Sequence, residues 1–129
     1  MKTEKEKMLS GELYNALDTE LSNERLKARL LLKDLNDSRE DEKDKRQEIL
    51  NHLIPNSKDD LWIQTPFYCD YGSNIIIGEK VFFNFNCVVL DVMQVKIGSR
   101  TIFGPNVQIY TATHLLDFKE RANGLYGIA

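Results

Sequence analysis

"IGEKVFFNFN" at residues 77–86 and "IGSRTIFGPN" at residues 97–106 decide how this chain folds. Laid over one another, they share Ile-Gly at the start, Phe at the seventh place and Asn at the tenth. An antiparallel sheet would show period-2 alternation, and "NIIIG", "VFF" and "CVVL" break it. A six-residue count fits better. From Ile77 it meets Phe83 and Val89; two extra residues intervene, and it resumes at Ile97, Phe103 and Ile109. The fifth places are Val81, Cys87, Met93, Thr101, Val107 and Thr113, all small or apolar. Upstream, the count puts Tyr71 and Ile75 in register, with Thr65 and Cys69 before them.

Internal repetition outranks local propensity. A hexad with an aliphatic first place predicts a β-helix of triangular section, each hexad making one short strand and one corner. Three hexads make a coil of 18 residues, the separation of Cys69 and Cys87, so the two thiols are expected one rung apart inside the prism. Gly78, Gly98 and Gly104 take second places, where glycine suits a turn of positive φ.

Working outward, the chain changes character near residue 60. Residues 1–60 hold 12 Lys/Arg and 15 Asp/Glu, whereas 61–129 hold 5 and 5. The first part is rich in Leu, Glu and Lys, and it predicts three helices. One covers about 3–15, with Met8, Leu9 and Leu13 on a common face. A second starts at an Ser22 N-cap and runs to about Asn36, with Leu26, Leu30 and Leu31 inward. A third starts near residue 38, is solvated along its charged face and ends at Pro55. His52 lies on it among polar residues and receives no role. The expected organisation is α+β: a helical segment over 1–60 and a partial β-helix over 61–129.

Several function classes drop out. The net charge of −3 argues against nucleic acid, because phosphate binding needs clustered Lys and Arg. No apolar run could span a bilayer, and "MKTEKEKML" lacks the apolar core of a signal peptide, so a cytoplasmic protein is expected. The two cysteines form no CxxC pair and lie near no histidine, so no metal site is expected.

The segments "EKEKMLSGELYN", "CDYGSNIIIG", "NFNCVVLDV" and "NVQIYTATH" together resemble the maltose and galactoside O-acetyltransferases, a branch of the hexapeptide-repeat acyltransferases. The resemblance implies a left-handed parallel β-helix, a homotrimer, acetyl-CoA as co-substrate with no permanently bound cofactor, and a sugar hydroxyl of maltose, glucose or galactoside type as acceptor. Such a hydroxyl needs a base to attack a thioester, and histidine titrates near the working pH. His114 falls where the family carries its catalytic histidine, in a loop that leaves the hexad register after Thr113. Leu115 replaces the proline that usually follows, while Asp117 is retained. By the same resemblance Asn84, Asp70 and Asp91 are candidate acceptor contacts, with Tyr14 and Arg25 of the helical segment as further lining. Asn84 and Asp91 could equally be turn residues.

Family members continue past this point with further coils that carry most contacts to coenzyme A. Here the chain reads "ANGLYGIA", so it is expected to be truncated, with its coenzyme-contact residues beyond Ala129. Two readings follow. One is a sugar O-acetyltransferase subunit with His114 as general base. The other is a catalytically impaired fragment that only self-associates, through apolar prism interior and strand edges exposed at the last rung. Zinc carbonic anhydrases share the prism but need three histidine ligands, and the prism half contains only His114.

Overall fold

The computed structural model describes the backbone of residues 1–114 and 125–128, and side chains through Thr111. Three helices come first: α1 (Glu4–Ser10), α2 (Thr19–Asp37) and α3 (Lys43–Leu53), with a short strand β1 (Tyr14–Asn15) between the first two. Eight strands follow, β2 (Trp62–Ile63), β3 (Phe67–Cys69), β4 (Ile75–Ile77), β5 (Phe82–Phe83), β6 (Cys87–Leu90), β7 (Val95–Ile97), β8 (Ile102–Phe103) and β9 (Gln108–Tyr110). They form three parallel ladders, β2-β5-β8, β3-β6-β9 and β4-β7, the three faces of a left-handed β-helix.

The coil is 20 residues long. Trp62 pairs with Phe82 and Phe82 with Ile102, each a step of 20, and Ile75 with Val95 repeats that step. The six-residue expectation therefore slips by two once in every coil. Between an inward first place and the next inward fifth place the usual gap is 4 residues, as from Phe83 to Cys87. From Cys69 to Ile75 and from Val89 to Val95 it is 6. Val95 rather than Met93 thus fills the fifth place, and upstream Ile63 and Cys69 hold the first places expected of Thr65 and Tyr71. Cys69 consequently pairs with Val89, and Cys87 with Phe67, so the two thiols are not stacked on each other. Both are buried and free.

Two corners of the prism are short and one is long. Four of the five short-corner copies turn at a fourth hexad place in the left-handed region: Lys80 (φ 56°), Asn86 (60°), Arg100 (64°) and Asn106 (63°). The first, between Ile63 and Phe67, has Pro66 at that place after a cis Thr65–Pro66 bond. The three second-place glycines do not supply positive φ. Gly78 instead makes room, since a Cβ there would sit 2.5 Å from Ser99 Oγ. Asn tolerates the left-handed region because its short side chain bonds locally, and here Asn86 Nδ2 donates to Asn106 Oδ1 one coil away at 2.8 Å.

Inside, Phe83 lies edge-on to Phe67 (centroids 5.3 Å apart) and stacked on Phe103 (4.5 Å). Such pairs add about 0.5–1.5 kcal/mol beyond their burial. The helices close the first coil. Ala28, Leu32 and Leu35 of α2 and Ile49, Leu50 and Leu53 of α3 join Ile63, Phe67, Cys69 and Ile75 in one core. Polar groups finish the joint. The side-chain amide of Asn36 both donates to Phe67 O (3.0 Å) and accepts from Phe67 N (2.9 Å), taking the place of a neighbouring strand. Buried Arg46 donates to the Ser38 hydroxyl (2.9 Å), an exception to the solvation expected of the charged face of α3.

The helix limits differ from those expected. α1 stops at Gly11, which is left-handed at φ 85°, and its N-cap Thr3 forms a capping box with Glu6; Leu13 falls outside and is exposed. Asp18 rather than Ser22 caps α2, with its carboxylate accepting from Leu21 N. The inward face of α2 is Leu21, Ala28, Leu32 and Leu35, while Leu26 and Leu30 are 57% and 59% exposed. α3 ends one residue before Ile54 and Pro55, as proline requires.

Candidate active site

The long corner is built around Asp91. Its side chain is fully buried, and its two carboxylate oxygens accept three backbone amides of the preceding coil. Oδ1 takes Asp70 N (3.0 Å) and Tyr71 N (2.9 Å), and Oδ2 takes Asn74 N (3.2 Å). Asn74 Nδ2 returns a bond to Asp91 O at 2.8 Å. The two extra residues of the coil leave these amides without a ladder partner, and the carboxylate supplies one. Burial pushes the Asp91 carboxyl up to about 6, against the pull of the amides. Asp91 was expected as a sugar contact. With no exposed atoms and both oxygens engaged, it is a brace that shapes the corner.

The brace aims its neighbours in two directions. Asp70 remains half-buried and lines a groove of about 470 Å³ between α2 and the prism, together with Arg29, Lys33, Asn36 and Tyr68. Burial raises its carboxyl pKa, and Arg29 and Arg25 pull it back down. Tyr71 turns the other way, into a second small core with Met8, Tyr14, Leu21 and Val92, where the helical segment docks on the corner. Arg25, expected to line the site, donates through Nη1 to the Tyr71 hydroxyl at 2.8 Å and through Nη2 to Ser22 Oγ at 3.2 Å. Tyr14 is buried in that same core.

One coil above Asp91, Thr111 continues the stack. Its hydroxyl donates to Leu90 O (2.6 Å) and accepts from Met93 N (3.2 Å). There the chain leaves the prism. β10 (Ala112–His114) and β11 (Leu125–Ile128) form an antiparallel sheet with β1, in the order β1-β11-β10. His114 is therefore on a strand of its own sheet, not in a loop. Its backbone is paired with Tyr126, which is paired in turn with Tyr14. This register ties the backbone of the His114 strand, through β11, to β1 of the helical segment, and the strand departs from the long corner one coil above Asp91. Leu115 and Asp117 lie outside the described residues.

Asn84 is elsewhere. It occupies a short corner between β5 and β6, and its Oδ1 accepts from Phe85 N at 2.8 Å. Within one chain the structure thus gathers Asp70, Tyr14, Arg25 and the His114 strand, and leaves Asn84 apart. Sequence reasoning missed Tyr71, Arg29 and Asn74. The long corner was the available signal, because two unpaired residues need a side-chain partner. Among the described residues no cluster of three His, Cys, Asp or Glu could hold a metal ion.

Comparison with known proteins agrees with this architecture. Residues 7–57 match the family model described as the maltose acetyltransferase hexapeptide capping motif. Nodulation protein L of Rhizobium meliloti (strain 1021) is 45% identical over 124 residues, covering 96% of this chain and 68% of that protein. The crystal structure of a maltose O-acetyltransferase from Clostridium difficile 630 superimposes with a TM-score of 0.93 at 42% identity, covering 99% of this chain and 68% of that one. A galactoside acetyltransferase in complex with coenzyme A gives 0.91 at 28% identity, with 99% and 64% covered. The chain therefore spans about two thirds of the length of these relatives.

Proposed function

Because the chain belongs to the maltose and galactoside O-acetyltransferase family of hexapeptide-repeat acyltransferases, we propose that it transfers acetyl from acetyl-CoA to a sugar hydroxyl with His114 as general base. The observation that carries the reading is the strand register, in which β11 joins the His114 strand to β1 of the helical segment where the chain leaves the long corner. In the step, the hydroxyl oxygen attacks the thioester carbonyl while the imidazole takes its proton. The tetrahedral intermediate collapses with rupture of the C–S bond, and the proton passes to the departing coenzyme thiolate. Acetyl-CoA is a co-substrate. A related galactoside acetyltransferase and a hexapeptide-repeat acetyltransferase of Vibrio cholerae have been solved with coenzyme A and acetyl-CoA respectively.

Asp70, half-buried at the groove and near Arg29, suits a hydrogen bond to paired sugar hydroxyls. Tyr14 and Arg25 support it from the helical segment, since Arg25 fixes Tyr71 beside it. Asn84 serves the acceptor from a neighbouring subunit. We place the protein in the cytoplasm as a homotrimer packed through prism faces, where Phe85 and Ile102 are 53% and 74% exposed. No helix among the described residues is long and apolar enough to cross a membrane.

The test is acetyl transfer to a panel of maltose, glucosides and galactosides. His114→Ala should lower kcat by about 10²–10⁴ with little change in KM. Undiminished transfer by that variant would remove the histidine from the mechanism.

A further inference from the structure

α2 carries two apolar stripes, and the core uses only one. Leu26 and Leu30 point away from it, 57% and 59% exposed. With half-buried Leu31 and exposed His52 of α3 they floor an open groove of about 500 Å³, flanked by Lys27 and Asp34. Contiguous apolar surface rimmed by charge marks an interaction site more often than solvated surface.

The charges identify the occupant. Lys27 and Asp34 are seven residues apart, so they lie on one face of the helix about 10 Å apart along its axis. Neither makes a salt bridge among the described residues; Lys33, the cation next to Asp34, is engaged by Asp37 at 2.8 Å. The stripe is thus positive toward one end, negative toward the other and apolar between. That pattern is its own complement when turned end for end. An antiparallel copy centred between Leu30 and Leu31 sets Leu30 against the other copy's Leu31, and Lys27 against the other copy's Asp34, twice over by symmetry.

We propose that this face of α2 is a two-fold contact with a second copy of the chain. An isologous contact of this kind buries the second stripe and satisfies both charges at once. It lies on the helical segment, so it is independent of packing through the prism faces. An assembly containing it holds an even number of chains, two where the prism faces are free and six where they form a trimer.

Sedimentation equilibrium of the full chain tests this, with circular dichroism confirming that each variant is folded. The wild type should have the mass of an even number of chains. Lys27→Glu sets like charges opposite each other and should halve that mass, with two-fold association weakened about 10–100-fold. Asp34→Lys should do the same. Combining Lys27→Glu with Asp34→Lys restores each contact with its signs exchanged, and should return association to within a few-fold of the wild type. Leu30→Glu should abolish it by charging the centre of the contact. A wild type of odd mass, single variants that keep the even mass, or a double variant that stays at half mass would each overturn the proposal. Uptake of an added amphipathic peptide by an odd-numbered wild type would do so too, and would assign the stripe to a different protein.

Discussion

The short and long corners of the prism reach the same end, a coil that closes on itself in 20 residues, by different chemistry. A short corner is a matter of backbone. In four of its five copies one residue enters the left-handed region, the next strand begins, and the coil above repeats the turn through main-chain bonds such as Asn106 N to Phe85 O at 2.9 Å. A long corner has two more residues than the ladder can pair, and one buried carboxylate holds it. The first kind tolerates lysine, arginine or asparagine at its bend. The second depends on Asp91, and it is the corner that the helical segment covers and the His114 strand departs from. Regularity supplies the frame, and the departure from regularity supplies the place for a site.

If that contrast holds, the largest effect should come from Asp91→Ala. Three amides, that of Tyr71 buried and those of Asp70 and Asn74 partly so, would lose their acceptor. At about 1–3 kcal/mol per orphaned group, and the lower end for the two that water can reach, the loss of stability in urea unfolding is about 3–5 kcal/mol. A loss under 1 kcal/mol would put the long corner in the same class as the short ones. Gly72→Ala should follow at about 2–4 kcal/mol. Gly72 has φ 77°, and a Cβ there would run into the Leu53 carbonyl oxygen. A thermal scan would read it, and an unchanged midpoint would show that the helical segment is not seated tightly on this corner.

A pH series sharpens the comparison further. The Asp91 carboxyl titrates near 6 in the folded chain and near its ordinary 3.8 when unfolded. The folded state therefore binds the proton more tightly. The group's contribution is complete below about 4 and declines as pH rises through 6. Asp91→Asn cannot titrate, so the stability gap between wild type and variant should be widest near pH 4 and narrowest near pH 7. A gap that widens toward neutral pH would reverse the sign of this argument. The smallest effect belongs to the short corners. Lys80→Gly should stabilise by about 0.5–1 kcal/mol, because glycine enters the left-handed region without the Cβ penalty. Destabilisation would mean that the lysine stem, rather than the backbone, sets that bend.

How much of this was legible in the sequence follows from what is local. Ile77, Phe83, Val89, Ile97, Phe103 and Ile109 announce the prism because each fills the same place in its own hexad. The two extra residues were also visible, but the hexad count alone allows them on either side of Met93. Only the pairing of Ile75 with Val95 places them in the corner and reveals the same insertion one coil earlier. The helix faces were read less well. Leu26, Leu30 and Leu31 satisfy a 3.6-residue period as well as Leu21, Ala28, Leu32 and Leu35 do, and periodicity carries no information about which stripe meets the core. The site is the least legible part. Asp91 looks like an exposed turn residue until the amides of the preceding coil are seen around it. His114 reaches β1 only through β11, a contact between residues about a hundred apart in the chain.

The 20-residue coil also acts as a ruler. Each turn of the prism adds only one strand spacing of about 4.8 Å, so a residue of coil gains about 0.24 Å of height where a residue of α-helix gains 1.5 Å. Asp70 and the start of β10 are two turns apart, which sets them roughly 10 Å apart along the prism axis. Because height changes only in whole turns, that separation cannot be tuned by inserting or deleting a residue or two. A whole coil gained or lost between the helical segment and β10 would shift the β10–β11 pair by about 4.8 Å relative to β1, one full strand spacing, and so break the β1–β11 pairing that ties the His114 strand to the helical segment. The number of turns beneath the histidine is therefore a quantised dimension of the site, and drift in chain length has to spend itself in the corners.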